Sequence, residues 1–327
     1  MIKFKKIIIN FIIYYSIFNY KYIYKKSYNA FITNPKISIF LPVFNKGKYL
    51  KAAISSLQRQ TLKDIEIIGI NDGSLDESLK ILKKISKKDK RIRILNNDRN
   101  HGPLYSRAMG ISNSSGEYLL NLDADDKLLN DNSLKLIYNL AKSSNSDFCR
   151  FLIKRIPANS SESNEFNLIN KIQLQLEDLL ITNKIISRSI FYKAFIFLKN
   201  RIFKEKWMLH DDNIWNKLIN EYSKKSIIFN KYIYYYKRNS DSLNLKRGSS
   251  DEIKSLVYKL EMSLNINESM SNSDFRAYIN QIIDLYNSSS CRIPEIEVKN
   301  KLKSIVFKYA KFNKINDVKI LSKQKIP

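Results

Sequence analysis

Between residues 36 and 126 the chain alternates short, almost wholly apolar runs with stretches of helical periodicity, and this alternation limits the available folds more than any other feature. Residues 36–41 read as a strand, 42–48 as a loop, and 49–59 as a helix with Leu50, Ala53, Ile54 and Leu57 on one face. Residues 65–70, Ile-Glu-Ile-Ile-Gly-Ile, form a second strand apolar enough to be covered on both sides, as strands of a parallel sheet are. A helix over 75–86 follows, with Leu79, Leu82 and Ile85 facing inward, then a strand over 91–95 and a helix over 104–111. After a turn at Ser115-Gly116, a fourth strand over 117–122 runs into Asp123-Ala124-Asp125-Asp126. Strands joined by helices of this length require right-handed crossovers, so the expected class is α/β, a Rossmann-like, mostly parallel sheet with helices on both faces. Ligands in such sheets sit beyond the carboxyl ends of the strands. Asp72 and the 123–126 cluster both follow strands directly and are expected to border one crevice.

Farther along, residues 147–153 read as a strand, 157–167 as a polar surface loop and 168–200 as a helical region. His210-Asp211-Asp212-Asn213-Ile214-Trp215 opens a helix reaching about residue 222, residues 226–237 look like strands, and 238–247 form a polar tail. Three helices are expected over 251–264, 274–286 and 295–312, with Ser250 and Ser273 as N-caps of the first two. The expected organisation is a basic, hydrophobic segment over 1–35, a main domain over 36–245 in two halves (36–150 and 151–245), and a C-terminal helical extension over 246–327.

Composition supports a real core: 44% of residues are hydrophobic, and seven Gly and six Pro exclude collagen-like or Gly/Pro-rich disordered chains. Two cysteines, Cys149 and Cys291, can make neither a disulfide framework nor a closely spaced zinc site. The net charge of +26 raises the question of a nucleic-acid partner. Its distribution argues otherwise: residues 1–36 carry seven Lys and no acid, residues 299–327 nine Lys and one Asp, so the two ends hold +7 and +8 and leave +11 for the middle. No specific nucleic acid is expected, and a membrane surface is the favoured polyanionic partner. Lys3, Lys5 and Lys6 precede an apolar run over 7–18, with Tyr20, Tyr22 and Tyr24 behind it. A spanning helix needs ~20 apolar residues, which this run approaches only if Lys21 snorkels. Two readings stay open: a signal anchor or interfacial helix, which makes the protein membrane-associated, or a first helix packed on the body of a cytoplasmic protein. Asn-x-Ser sequons at Asn113, Asn159, Asn267 and Asn287 do not decide the compartment in so Asn- and Ser-rich a chain.

Three carboxylates within the four residues 123–126 repel one another and call for a compensating cation. A hard divalent ion suits them, since Mg²⁺ takes one or two carboxylates and fills its shell with waters and substrate phosphates. The alternative is a solvated turn whose Asp caps a helix. The acids at 211 and 212 have two readings as well: they favour the dipole of the helix they start, or one of them accepts a proton.

Taken together, Ile37-Ser38-Ile39-Phe40-Leu41-Pro42-Val43-Phe44-Asn45, Ser56-Leu57 to Gln60-Thr61, Ile67-Ile68-Gly69-Ile70-Asn71-Asp72-Gly73-Ser74 with Asp76, and Gly116-Glu117-Tyr118-Leu119 to Leu122-Asp123-Ala124-Asp125-Asp126 resemble the family 2 inverting glycosyltransferases. That family has the GT-A fold and uses nucleotide sugars. The motifs occur in order across residues 36–126, and weaker similarity continues to about 243. The resemblance makes 36–150 the nucleotide-sugar-binding half and 151–245 the acceptor half. It implies that Pro42, Val43 and Phe44 line the nucleobase and ribose side and that Asp72 accepts hydrogen bonds from the base. Gly102 to Arg107 resembles a Gly-x-x-x-x-Arg segment and puts Arg107 near nucleotide or phosphate. Asp123 would touch ribose or metal, Asp125 would be the main ligand of Mg²⁺ or Mn²⁺, and Asp212 would be the general base. Asp211, Trp215 and Arg238 would contact donor or acceptor. Tyr234-Tyr235-Tyr236-Lys237-Arg238 with Ser240 and Ser242 is similar to a strand that closes over the donor, although an aromatic strand packed on the core reads equally well.

The implied reaction moves a hexosyl or N-acetylhexosaminyl group, with inversion, from a nucleoside-diphosphate sugar, a UDP-sugar being favoured, to a hydroxyl of a glycan, lipid or protein. Asn71, Phe44, Met109 and Asp211 depart from the family's usual Asp, Tyr, Asn and Glu and leave the substrate open. Two other readings stand beside it. One is nucleotidyl transfer, which lacks its Gly- and Lys-rich phosphate loop here; the other is a non-catalytic, membrane-associated binding protein built on a transferase-like domain.

Overall fold

A computed structural model describes residues 35–156, 183–202 and 212–237, with isolated positions 257, 260, 300, 304 and 305. The N-terminal apolar run, the 157–167 loop, Asp211, Arg238 and the bulk of the three expected C-terminal helices lie outside the described residues.

The strands are β1 (Ile37–Val43), β2 (Ile65–Asn71), β3 (Ile92–Asn96), β4 (Tyr118–Asn121), β5 (Lys127–Leu128), β6 (Phe148–Ile156), β7 (Lys184–Ser187) and β8 (Ser226–Lys237). The helices are α1 (Gly47–Gln58), α2 (Ser78–Ser86), α3 (Pro103–Asn113), α4 (Ser133–Ser143), α5 (Arg188–Ile202) and α6 (Asp212–Tyr222). They build an α/β domain around one sheet in the order β3-β2-β1-β4-β7-β6-β8-β5. β1 lies between β2 and β4 and is parallel to both, and β3 runs parallel to β2. The carboxyl ends of the first four strands, at Val43, Asn71, Asn96 and Asn121, therefore share one edge. Beyond β4 the sheet turns mixed: β7 is antiparallel to β4 and β6, while β8 is parallel to β6 and antiparallel to β5.

Alternation along the strands supplies both faces. Ile37, Ile39, Leu41 and Val43 of β1 pack with Leu50, Ile54 and Leu57 of α1, Leu82 of α2 and Leu134 and Ile137 of α4. Phe40 points to the opposite layer, where it meets Ile68, Ile70, Leu104, Phe191 and Trp215 under α3, α5 and α6. Full burial of side chains this size contributes roughly 1.5–3 kcal/mol each, which explains why a strand such as β2 tolerates almost no polar residue. Apart from Asn71 at its carboxyl end, Glu66 is the exception, at 1% exposure. Its carboxylate accepts hydrogen bonds from the Ser38 hydroxyl of β1 and from the Ser115 hydroxyl and N–H in the turn before β4, and Arg93 of β3 stands 3.5 Å away. One buried carboxylate thus fastens three strands and a turn at the end of the sheet remote from their carboxyl edge.

Two local expectations changed. Residues 184–187, read as helical, form β7, because a segment of four residues with only Ile185 and Ile186 apolar takes its conformation from the slot between β4 and β6 and not from its own periodicity. β5 and α4 were not anticipated between the acidic cluster and β6.

Replacement Glu66→Ala strands Arg93 and two Ser115 donors and should lower stability by roughly 2–4 kcal/mol in urea unfolding. A loss below half a kilocalorie would mean the clip is not a structural tie.

Candidate functional site

The site starts at the turn after β2. Gly73 adopts φ 69°, and a Cβ there would come within 2.4 Å of the Arg99 carbonyl carbon, so no larger residue fits the turn that presents Asp72. Asp72 is 3% exposed and faces inward along the strand edge. Its Oδ1 accepts from Asn97 Nδ2 at 2.7 Å and from the His101 N–H at 3.0 Å, and its Oδ2 accepts from the Gly102 N–H at 2.8 Å. The carboxylate therefore holds the entry of α3, where Gly102 at φ 87° is followed by Pro103 at the first helical position. Three of about four acceptor positions on a carboxylate are thereby occupied, so any hydrogen bond to a base would use the remaining one.

One and a half turns into α3 sits Arg107, 6% exposed, with Nη2 3.5 Å from Asp123 Oδ1. Asn121 Nδ2 donates to the same oxygen at 3.0 Å. The acidic turn is held from behind by Tyr234 of β8, whose phenol oxygen accepts the Asp123 N–H at 3.1 Å while its O–H donates to Asp126 Oδ2 at 2.8 Å. Burial, with Asp126 and Asp123 beside it, raises the Tyr234 pKa well above its usual value, so the phenol stays a donor. Tyr234 is fully buried and Asp126 is 2% exposed. Of the three acids, Asp126 is a structural anchor, and Asp123 and Asp125 are the partly exposed pair.

Asp125 faces the loop after β1. Lys46 Nζ lies 2.6 Å from Asp125 Oδ2 and 5.9 Å from the centre of the Tyr49 ring. Burial alone would lower the ammonium pKa, but Asp125, through charge and hydrogen bond, and then Asp123 outweigh it and raise the value. The loop carrying Lys46 is tied to the turn after β2: Asn45 N–H to Ser74 Oγ, Lys46 N–H to Ser78 Oγ, Gly47 N–H to Asp76 Oδ2, and Leu75 N–H to Asn45 Oδ1, each between 2.9 and 3.1 Å. Asp72, Arg107, Asp123, Asp125 and Lys46 thus belong to one set of linked loops at the carboxyl edge of the parallel strands.

Of the residues expected on the nucleobase side, Phe44 is exposed, Pro42 half-buried, and Val43 belongs to the core. The Val43 carbonyl accepts the Asp72 N–H at 2.8 Å. Trp215, expected to touch donor or acceptor, is fully buried edge-on against Phe191, with centroids 5.5 Å apart; the indole is core packing in this fold. Asp212 begins α6, and its side chain is outside the description, as are Asp211 and Arg238. One turn later, Asn216 Oδ1 accepts from Lys184 Nζ at 2.9 Å. Lys184 opens β7 next to Ile185, which pairs with Leu120, so α6 is fastened near the carboxyl end of β4. Sequence reasoning missed Lys46, Asn97, Lys184 and the anchoring role of Tyr234. Each acts on a partner at least 25 positions away, which local spacing does not reveal.

The family model for Glycosyl transferase family 2 matches residues 38–201. The chain is 30% identical over 206 residues to the GalNAc(5)-diNAcBac-PP-undecaprenol beta-1,3-glucosyltransferase of Campylobacter jejuni, a match covering 62% of this chain and 65% of that protein, just under two thirds. It is 28% identical to the cholesterol galactosyltransferase of Borreliella burgdorferi over 72% of this chain and 67% of that one. Among solved structures, S. aureus TarS 1-349 in complex with UDP-GlcNAc aligns with a TM-score of 0.57 at 17% identity, over 85% of this chain and 81% of that one. The mannosyltransferase PcManGT from Pyrobaculum calidifontis, in complex with GDP-Man and Mn²⁺, aligns with 0.52 at 8% identity, over 85% and 76%. Among the described residues no helix is long and apolar enough to cross a membrane.

Replacing Tyr234 by Phe leaves the packing but removes one acceptor and one donor from the buried side of the acidic turn. Stability should fall by about 1–3 kcal/mol in thermal or chemical unfolding; an unchanged midpoint would show that the hydroxyl does not hold the turn.

Proposed function

Because the chain belongs to glycosyl transferase family 2 and folds as a GT-A type glycosyltransferase, we propose that it transfers a hexosyl or N-acetylhexosaminyl group from a nucleoside-diphosphate sugar to an acceptor hydroxyl, with inversion and with help from a divalent cation. The observation that carries this reading is the convergence, at the carboxyl edge of the parallel strands, of the linked loops that bear Asp72, Arg107, Asp123, Asp125 and Lys46. In this reading the nucleotide lies against Phe44 and Pro42 near Asp72, and the diphosphate lies toward Arg107 and the acidic turn.

The donor set at that turn fits a hard cation: Asp125 and Asp123 offer carboxylate oxygens, and among the described residues no cluster of three or more His, Cys, Asp or Glu is assembled. A shell of one or two carboxylates leaves room for diphosphate oxygens and waters, which suits Mg²⁺ or Mn²⁺. Such an ion, when bound, neutralises charge growing on the departing diphosphate. The remaining work belongs to the protein. Arg107 and Lys46 bring further positive charge to the phosphate side, the anchored turn keeps its carboxylates in place without reorganisation, and Asp212 at the start of α6 takes the proton from the acceptor hydroxyl as its oxygen attacks the anomeric carbon. The tie between Asn216 and Lys184, one turn beyond Asp212, supports a position for that residue beside β4.

The donor tested first is a UDP-sugar. The acceptor is a glycan or lipid hydroxyl; two relatives carry names with lipid acceptors, undecaprenol-linked in one case and cholesterol in the other. The basic N-terminal segment would then hold the enzyme at the membrane surface.

Asp212→Asn should reduce transfer by ~10²-fold or more while nucleotide-sugar binding persists, and Asp125→Asn should abolish the stabilisation that Mn²⁺ adds to donor binding in a thermal-shift panel. Wild-type transfer rates in either protein would refute the assigned roles.

A further inference from the structure

The divalent cation in the proposed reaction would have to approach Asp125, yet that carboxylate already has a cation. Lys46 Nζ sits 2.6 Å from Asp125 Oδ2, with the two side chains only 22% and 18% exposed. The contact joins loops 79 residues apart in sequence. It is also rigidly based, since the Lys46 N–H is fixed to Ser78 Oγ and its carbonyl accepts the N–H groups of Tyr49 and Leu50 in the first turn of α1. Neighbouring Lys48 and Lys51 have the same chemistry and make no such contact among the described ion pairs, so a general excess of lysine does not account for it.

We infer that Lys46 is a built-in latch on the acidic turn, an ammonium that a divalent cation must displace from Asp125 in order to bind. The inference rests on the cation site proposed above. Its physical content is competition. A protein whose binding-competent state is populated only in part shows an apparent affinity reduced by that fraction, and here the competent state is the one with the ammonium swung away. Electrostatic repulsion between the displaced ammonium and the bound ion adds to the penalty. Diphosphate oxygens lying over the turn would take up the ammonium once it leaves, so cation and diphosphate should bind better together than either does alone. Lys46 is thus a positioning residue that sets when the turn is open to a metal.

The test measures Mn²⁺ alone against the full-length protein by titration calorimetry. Lys46→Met, similar in length but without charge, should bind Mn²⁺ about tenfold more tightly than wild type, and Lys46→Arg should bind it no better than wild type. Asp125→Asn should remove binding in both the wild-type and Lys46→Met backgrounds. Equal Mn²⁺ affinity in wild type and Lys46→Met would overturn the latch and leave the cation site standing. Mn²⁺ binding to neither protein would overturn both. A second measurement needs no substitution: in wild-type protein, amine labelling mapped by mass spectrometry should rise at Lys46 on adding Mn²⁺ while other lysines stay constant. Unchanged labelling at Lys46 would again sink the proposal.

Discussion

β1 runs in parallel register between β2 and β4, and the convergence of the loops at the candidate site depends on that pairing. Because the three strands point the same way, the backbone leaves the sheet at Val43, Asn71 and Asn121 on one side of the molecule, and each exit carries a polar loop. Such loops cannot be buried in the layers, and they fasten to one another: the Asp72 N–H to the Val43 carbonyl, the Leu122 N–H to the Phe40 carbonyl, and the loop after β1 to the turn after β2. Convergence of acids far apart in the chain is then a consequence of strand direction and needs no special attraction between them.

The acids do not play equal parts. Asp72 is largely engaged in shaping the entry to α3, and Asp126 is sealed under Tyr234; both are carboxylates that work for the fold. Asp123 and Asp125 stay partly open to solvent and meet cationic side chains, Arg107 and Lys46. This division resolves the repulsion expected of three neighbouring carboxylates, since one is removed to a hydrogen-bonded niche and the other two each face a positive group.

The layered α/β architecture was legible in the sequence because β1, β2 and the helices between them carry strong, consistent periodicity. Leu50, Ile54 and Leu57 do face the layer beneath the sheet. The second half was less legible. β7 is four residues long, β5 is two, and their conformation comes from distant partners, Phe148 and Leu119 with Ile186 and Leu128 with Tyr234. The candidate site shows the same split. Strand-end acids announce themselves by position, whereas Lys46 looks like any of its many neighbours until the loop is folded onto Asp125. Tyr234 belongs to an aromatic run that reads equally as donor cover or as core, and its hydroxyl, not its ring, ties it to the site.

That hydroxyl has a bearing on how the domain is divided. The stretch matched by the family model, residues 38–201, takes in β1 from Ser38, β2, β3, β4, Asp72 and the 123–126 cluster, so it looks self-sufficient. Yet the peg that keeps the 123–126 turn seated comes from β8, after that boundary, and β8 is also the strand that flanks β6 and carries β5. A piece that keeps this peg must therefore include β8, which ends at Lys237, and changes at Tyr234 in the late aromatic strand will be felt at the acidic turn more than a hundred positions earlier in the chain.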